Sequence, residues 1–224
     1  MRDAARSEGE TIGGTVIVGT YATVSSQLLV PVLHRLLDDH PALRVHLKLG
    51  FTEPLCDELR EGKADLLLLT GSQRPDGLHA EVVGHDALVA VMSPKVAPRR
   101  KGVVSQSELR LMRYLCWSGP RDETFEAAQS YAVKHALLDE RSPFVPHTET
   151  LRALAAAGAG YALLPSHAVR ADVDAGRLVA LDPKGLRHRL VFQLITRKGQ
   201  VVTAAVAAVK RALSEVKLAR GQVG

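Results

Sequence analysis

Cysteine, aromatic side chains and long apolar runs are all scarce in this chain, and each scarcity removes a class of protein. Only Cys56 and Cys116 occur in 224 residues, one in a helical pattern and one in an apolar run. They offer neither a disulfide framework nor metal-ligand spacing, which fits a reducing compartment. No apolar stretch approaches the roughly 20 residues that a membrane helix needs. Met1 to Glu10 is charged throughout and has no apolar core of a signal peptide, so a soluble, unexported, cytoplasmic chain is expected. Aromatics make up 4% of the residues, and the basic clusters at Arg99-Arg100-Lys101, Lys184 to Arg189 and the C-terminal helix lack interleaved rings. The net charge of +5 therefore reads as solvated surface and not as a nucleic-acid face. Enzyme signatures are missing as well: the nine histidines form no His-Glu-x-x-His pair, and there is no Gly-x-Ser-x-Gly elbow and no phosphate loop ending in Gly-Lys-Ser/Thr. No catalytic residue, metal site or cofactor is expected; a triad assembled from distant residues stays open as the enzyme alternative.

What is present is a chain that is 46% apolar, mostly Ala, Val and Leu, and long enough for one α/β domain or two half-size lobes. Thr15 to Val18 predicts a first strand ending at Gly19, followed by a polar stretch from Thr20 to Gln27. Leu29, Val32, Leu33, Leu36 and Leu37 then fall at the spacing of one helical face. Pro31 lies just inside that helix and predicts a late start or a kink. Leu43 to Leu49 alternates apolar with Arg, His and Lys, which predicts an edge strand with one wetter face. Thr52 is expected to cap the next helix, with Pro54 in its first turn and Gly62 at its end. Ala64 to Leu69 is an unalternated run and reads as a central parallel strand. The order β-α-β-α-β with short connections predicts a parallel sheet with right-handed crossovers.

Further on, Glu81 to Met92 reads as two strands about a break at Gly84-His85, and Lys95 to Gly102 as a loop. A second α/β run follows, with a helix from Ser107, a strand at Tyr114 to Trp117, a helix at Glu123 to Leu138 and a strand at Phe144 to His147. Strands at Arg177 to Leu181 and Leu190 to Thr196 and a helix from about Val201 to Lys217 close the chain. The most informative stretch is Glu149 to Pro165. Leu151, Leu154 and Ala155 share a helix face, Gly158 and Gly160 are expected to stop that helix, and Tyr161 to Leu164 reads as a strand buried on both faces. A dinucleotide loop is the competing reading of the two glycines. It requires the opposite order, strand before helix, and a third glycine where Leu163 stands.

Two similar lobes, the second inserted into the first, would join through crossing strands near Leu88 to Ser93 and Leu190 to Arg197. The cleft between them is the expected place for a small molecule. In doubly wound sheets ligands sit beyond the carboxyl ends of strands, which selects Thr20 to Ser26, Phe51 to Glu53, Ser118 to Phe125 and Thr148 to Thr150. These stretches are rich in hydroxyls, and helix N-termini there favour a carboxylate or another small anion.

At Gly14 to Gly19, Leu29 to Leu33 with His40-Pro41, Leu59 to Asp65 with Leu66 to Leu69, and Leu151 to Pro165, the sequence resembles the effector-binding domain of LysR-type transcriptional regulators. The resemblance covers nearly the whole chain. It implies an α/β fold of two Rossmann-like lobes joined by two crossing strands, like the type 2 periplasmic binding proteins. The division implied is residues 11–87 and 198–224 for lobe I and 88–197 for lobe II, with residues 1–10 as the end of a linker helix. It also implies a small-molecule effector, a homodimer or homotetramer, and promoter DNA contacted only through an N-terminal helix-turn-helix that this chain lacks. The ligand-binding residues expected are Thr20, Tyr21, Thr23, Ser25, Thr52, Ser118, Phe125, Thr148 and Thr150. Thr52 and Thr23 match polar positions of the family and Phe125 an aromatic wall residue, while capping for the threonines and Ser25, and core packing for Phe125, are the bland alternatives. Glu149-Thr-Leu-Arg152 also resembles the peroxide-sensing branch, but Ser118 to Ala128 holds no cysteine, and Cys116 beside Trp117 reads as a buried structural thiol. The alternative function is a solute-binding protein of a transport system, which shares the fold.

Overall fold

The computed structural model describes residues 12–72, 75–98, 102–119, 122–186 and 188–215. The expected linker tail, Met1 to Glu10, the basic cluster at 99–101 and the end of the last helix at Lys217 lie outside the described residues.

Strand β1 (Gly14–Thr20) pairs in parallel with β2 (Leu43–Leu49) on one side and β3 (Leu66–Thr70) on the other. Between them run the short α1 (Ala22–Val24), a π-helical turn (Ser25–Leu29), α2 (Val30–Asp39) and α3 (Thr52–Arg60). The irregularity expected at Pro31 takes the form of that π turn: the Val30 N–H reaches back five residues to the Ser25 carbonyl, widening the helix just before a residue that has no N–H to give. β2 is an edge strand as its alternation predicts, although Leu47 and Leu49 are themselves exposed.

The long β4 (Leu78–Met92) is one strand where two were expected. The break at Gly84 is a bulge: Phe192 faces Gly84 but Gln193 faces Val82, so Val83 is the extra residue and the strand bends without ending. Its partner β10 (Arg189–Arg197) lies antiparallel between β3 and β4. The second half of β4 pairs with β8 (Tyr161–Pro165) and β9 (Val179–Pro183), and β5 (Val103–Val104) joins the far side of β9. β6 (Cys116–Trp117) and β7 (Phe144–Val145) form a separate parallel pair. The second half is completed by α4 (Gln106–Arg110), α5 (Glu123–Lys134), α6 (Thr148–Ala156) and α7 (Ser166–Asp174), and α8 (Ala204–Ser214) returns to the first. α7 has no counterpart in the sequence reading.

Each half is a sheet sandwiched between two apolar layers. In β3, Leu66 and Leu68 pack under α2 and α8 while Leu67 and Leu69 pack under α3. In β8, Tyr161 and Leu163 enter one cluster with Tyr114 and Tyr131, and Ala162 and Leu164 enter another with Leu151 and Ala155 of α6. The run buried on both faces is therefore real, and an inward side chain at every position is what keeps it free of polar residues. Of the two glycines ahead of it, Gly158 has the left-handed φ of +85° expected of a helix stop. Gly160 is needed for a different reason. A Cβ there would stand 2.2 Å from the Arg113 carbonyl oxygen, where residues 113–115 pair with Tyr161.

Candidate functional site

Parallel pairing puts the carboxyl ends of β1, β2 and β3 at one end of the first half, so the Tyr21 to Val24 segment, the Leu49 to Pro54 turn and Thr70 converge there. The second half contributes Trp117, Asp122, Thr124, Pro146 to Glu149, Pro165 and His167 from the opposite side. Between them lies a cavity of about 480 Å³.

Three hydroxyl-bearing residues of the first half are tied together in its wall. The Tyr21 hydroxyl lies 2.7 Å from Thr52 Oγ1 and donates to the Thr70 carbonyl at 3.4 Å. Burial pushes the Tyr21 phenol up to about 12; the Thr52 hydrogen bond opposes this, and the Asp122 charge across the cavity adds to it. It is a neutral donor at any physiological pH. The cap of α3 is Phe51, which has extended backbone and no side-chain bond, so Thr52 is the first helical residue and its hydroxyl is committed to Tyr21. Capping, the bland alternative for Thr52, is thus not its role. On the other wall the Asp122 carboxylate caps α5 by accepting the Phe125 N–H at 2.8 Å, while burial pushes its carboxyl up. α6 starts at Thr148 after an uncapped His147, leaving its first N–H groups beside the cavity.

Among the expected residues, Tyr21, Thr23, Thr52 and Thr148 line this cavity. The others lie elsewhere. Thr20 is fully buried and donates to the Leu68 carbonyl at 2.7 Å, holding β1 to β3. Ser25 is buried in the π turn, where its N–H bonds the Tyr21 carbonyl at 2.8 Å. Thr150 faces solvent in the first turn of α6. Ser118 and Phe125 line a second depression of about 620 Å³ with Glu126, Gln129 and Phe144. Trp117 stands between the two, edge-on to Phe125 with ring centroids 5.7 Å apart.

Sequence reasoning missed Thr70, Trp117, His147 and His167 as lining residues; Asp122, Thr124 and Glu149 lie in the stretches it selected but were not singled out. Extending the strand-end rule to β3 would have found Thr70, and Asp122 stands one residue before an expected helix start. His167 had no such signal, because its helix was not recognised. It is buried at the foot of the cavity, and its Nδ1 lies 2.6 Å from Asp86 Oδ2 on β4. The halves also touch directly outside the cavity: the Ser72 N–H and hydroxyl donate to Glu123 Oε2 at 2.6 and 3.0 Å. Cys116 is buried and receives the Gln129 amide at 2.9 Å, and burial pushes its thiol up. Among the described residues no group of His, Cys, Asp and Glu is placed to hold a metal ion, and no helix is long and apolar enough to cross a membrane.

Comparison with known proteins places this arrangement. The family described as the LysR substrate binding domain matches residues 9–217. The HTH-type transcriptional regulator CbbR of Rhizobium meliloti (strain 1021) is 28% identical over 176 residues, 78% of this chain and 56% of that protein. The chain thus spans little more than half of that relative. Among solved structures, the reduced regulatory domain of OxyR2 from Vibrio vulnificus superposes with a TM-score of 0.73 at 22% identity, covering 95% of this chain and all of that one. The effector-binding domain of QuiR in complex with shikimate gives 0.68 at 13% identity, covering 90% and 96%. The fold is the two-lobed, type 2 periplasmic-binding-protein-like α/β fold, with β4 and β10 as the strands that cross between lobes.

Proposed function

The chain belongs to the LysR substrate-binding domain family, and from that premise we propose that it senses a small carboxylate-bearing effector in the inter-lobe cavity for a cytoplasmic, DNA-binding regulator. The observation that carries the reading is the cavity itself. The starts of α3 and α6, neither of them capped by a side chain, and the Tyr21–Thr52 hydroxyl pair converge on a space of about 480 Å³, a fitting size for a small metabolite. Glu53, Asp122 and Glu149 also line it, and among the described lining residues there is no Lys or Arg. That balance favours one carboxylate on a hydroxylated or apolar body over a polyanion. Shikimate, the ligand of the QuiR structure, is such a molecule.

In this reading Tyr21, Thr23, Thr52 and Thr148 contact the effector, and Ser118 and Phe125 act from behind Trp117. Lobe I comprises residues 11–87 and 198–224, lobe II residues 88–197, and residues 1–10 lead from a linker helix. Effector binding favours one lobe arrangement through differential affinity and so biases a homodimer or homotetramer whose DNA contacts are made by a separate helix-turn-helix. The test is a thermal-shift screen with acetate, lactate, 4-hydroxybenzoate and shikimate, repeated on Thr52→Ala and Thr23→Ala. At least one acid should raise the melting temperature of the wild type and lose affinity in both variants. Unchanged affinity in both would move the site elsewhere.

A further inference from the structure

His167 is the second residue of α7, and its ring is 3% exposed. A carboxylate only accepts, so the 2.6 Å contact with Asp86 places a proton on Nδ1. The same carboxyl also takes the Ser166 hydroxyl and, at 2.9 Å, the His167 backbone N–H. Burial pushes the Asp86 carboxyl up, but these donors outweigh it and hold it below the ordinary carboxylate range, so Asp86 is charged. The ring is thereby fixed, and its other nitrogen, Nε2, is buried without a hydrogen-bond partner. A native structure rarely leaves such an atom unsatisfied without a functional reason. Since His167 lines the cavity, the missing partner is a molecule that enters it.

The surrounding charges decide which molecule. Asp86 faces the ring from β4, Phe192 of β10 packs edge-on at 5.2 Å, and the titratable groups around the cavity are Tyr21, Glu53 of α3, Asp122 before α5, His147 before α6 and Glu149 of α6. With no Lys or Arg among the described lining residues, the helix starts are all that draws an entering carboxylate against Glu53, Asp122 and Glu149 unless a proton comes with it. Asp86 is already arranged to stabilise a positive ring.

We propose that His167 is the acid-recognising residue of the cavity: the effector carboxylate accepts a hydrogen bond from Nε2 of a doubly protonated imidazole, and Asp86 is the positioning residue behind it. This rests on the carboxylate reading above. In the complex both ring nitrogens carry protons, Nε2 toward the effector and Nδ1 on the bond to Asp86, and any proton Nε2 lacks beforehand comes from solvent. The contact is made at the crossing strands themselves, because Asp86 pairs with Leu190 of β10.

Calorimetric titration of the wild type with each of the four acids and its primary amide, in phosphate and in Tris at one pH, reads both affinity and proton uptake. The best-binding acid should take up protons, at most one per site, and bind about tenfold or more tightly than its amide, the scale of a charge-assisted hydrogen bond. His167→Gln should weaken it by a similar factor and abolish the uptake. Asp86→Asn should reduce the uptake, and an uptake lost in His147→Gln but kept in His167→Gln would overturn the proposal. Labelling with ¹⁵N-histidine follows Nε2 directly in the wild type, where it should gain its proton on saturation. If none of the acids binds, the carboxylate reading falls and takes this proposal with it. An acid that binds with no proton uptake, or that keeps its affinity in His167→Gln, overturns the proposal alone.

Discussion

Replacing Gly160 with alanine should cost far more than replacing Gly158, two residues away, because the two glycines answer different constraints. At Gly158 the φ of +85° is the difficulty, and an added Cβ meets only Ser93 and Val96 side-chain atoms at 3.9 Å. The left-handed conformation alone costs an L residue about 1–2 kcal/mol. At Gly160 the Cβ would lie 2.2 Å from the Arg113 carbonyl oxygen and 3.1 Å from its carbonyl carbon and Cβ, so the backbone itself must retreat. That retreat breaks the pairing of β8 with residues 113–115, whose bonds run from Tyr161 N–H to Arg113 O at 2.9 Å and from Leu115 N–H to Tyr161 O at 2.8 Å. Leaving buried partners of two such bonds unsatisfied costs about 2–6 kcal/mol at roughly 1–3 each, centred near 4. Against the roughly 5–15 kcal/mol of a whole domain this is severe. Equilibrium urea unfolding, followed through the lone Trp117, reports it. With a slope of about 2 kcal/mol/M, Gly160→Ala should lower the midpoint by about 2 M and Gly158→Ala by less than about 1 M. A Gly160→Ala shift no larger than that of Gly158→Ala would refute the close-approach account.

Other outcomes follow from single contacts. Asp122→Asn keeps an N-cap acceptor and removes a charge whose folded pKa is raised by burial; since stability due to a raised carboxyl falls as pH climbs from the unfolded toward the folded value, the variant should be more stable than wild type at pH 7 and equal to it at pH 3 in chemical denaturation. Glu123→Ala removes the acceptor of the Ser72 N–H and hydroxyl, so the Ser72 amide should exchange with deuterium up to about fivefold faster while the melting temperature moves little, as an exposed contact worth about 1 kcal/mol or less implies. Cys56 and Cys116, both buried and both pushed up by burial, should react with a thiol reagent only in denaturant, and micromolar peroxide should leave effector binding unchanged.

Local patterns carried most of the fold. Alternation marked β2, the unbroken leucines marked β3, and glycine placement marked the end of α6, because each reports a burial pattern or a backbone angle confined to a few residues. The misreadings share a cause. Gly84 looked like a strand end because a bulge and a turn demand the same residue; only the pairing with β10, distant in sequence, separates them. α7 was missed because its buried face consists of His167, Ala168, Val169 and Asp172, two of them ionisable, so its amphipathic signature is weakened. Asp172 is tolerated there by Arg152 and Arg177 at 3.1 and 2.5 Å. For the site, the strand-end rule found hydroxyls on both sides of the cavity, but it did not distinguish Thr52, which meets Tyr21, from Thr20, which is spent on Leu68. Which residues of one half face which residues of the other is decided by how the two crossing strands bend, and no short window of sequence holds that information.

The placement of β10 also bears on how the chain matures during synthesis. β3 needs β10 as its second neighbour, yet β10 is encoded after the entire second half. A nascent chain that has already made β1, β2 and β3 therefore carries an open, leucine-rich edge while α4 to α7 are still being translated. Such an edge pairs with whatever strand it meets. Protection of that edge by a chaperone, or a pause timed to deliver residues 189–197, would govern the yield of folded protein more than the final stability of either half.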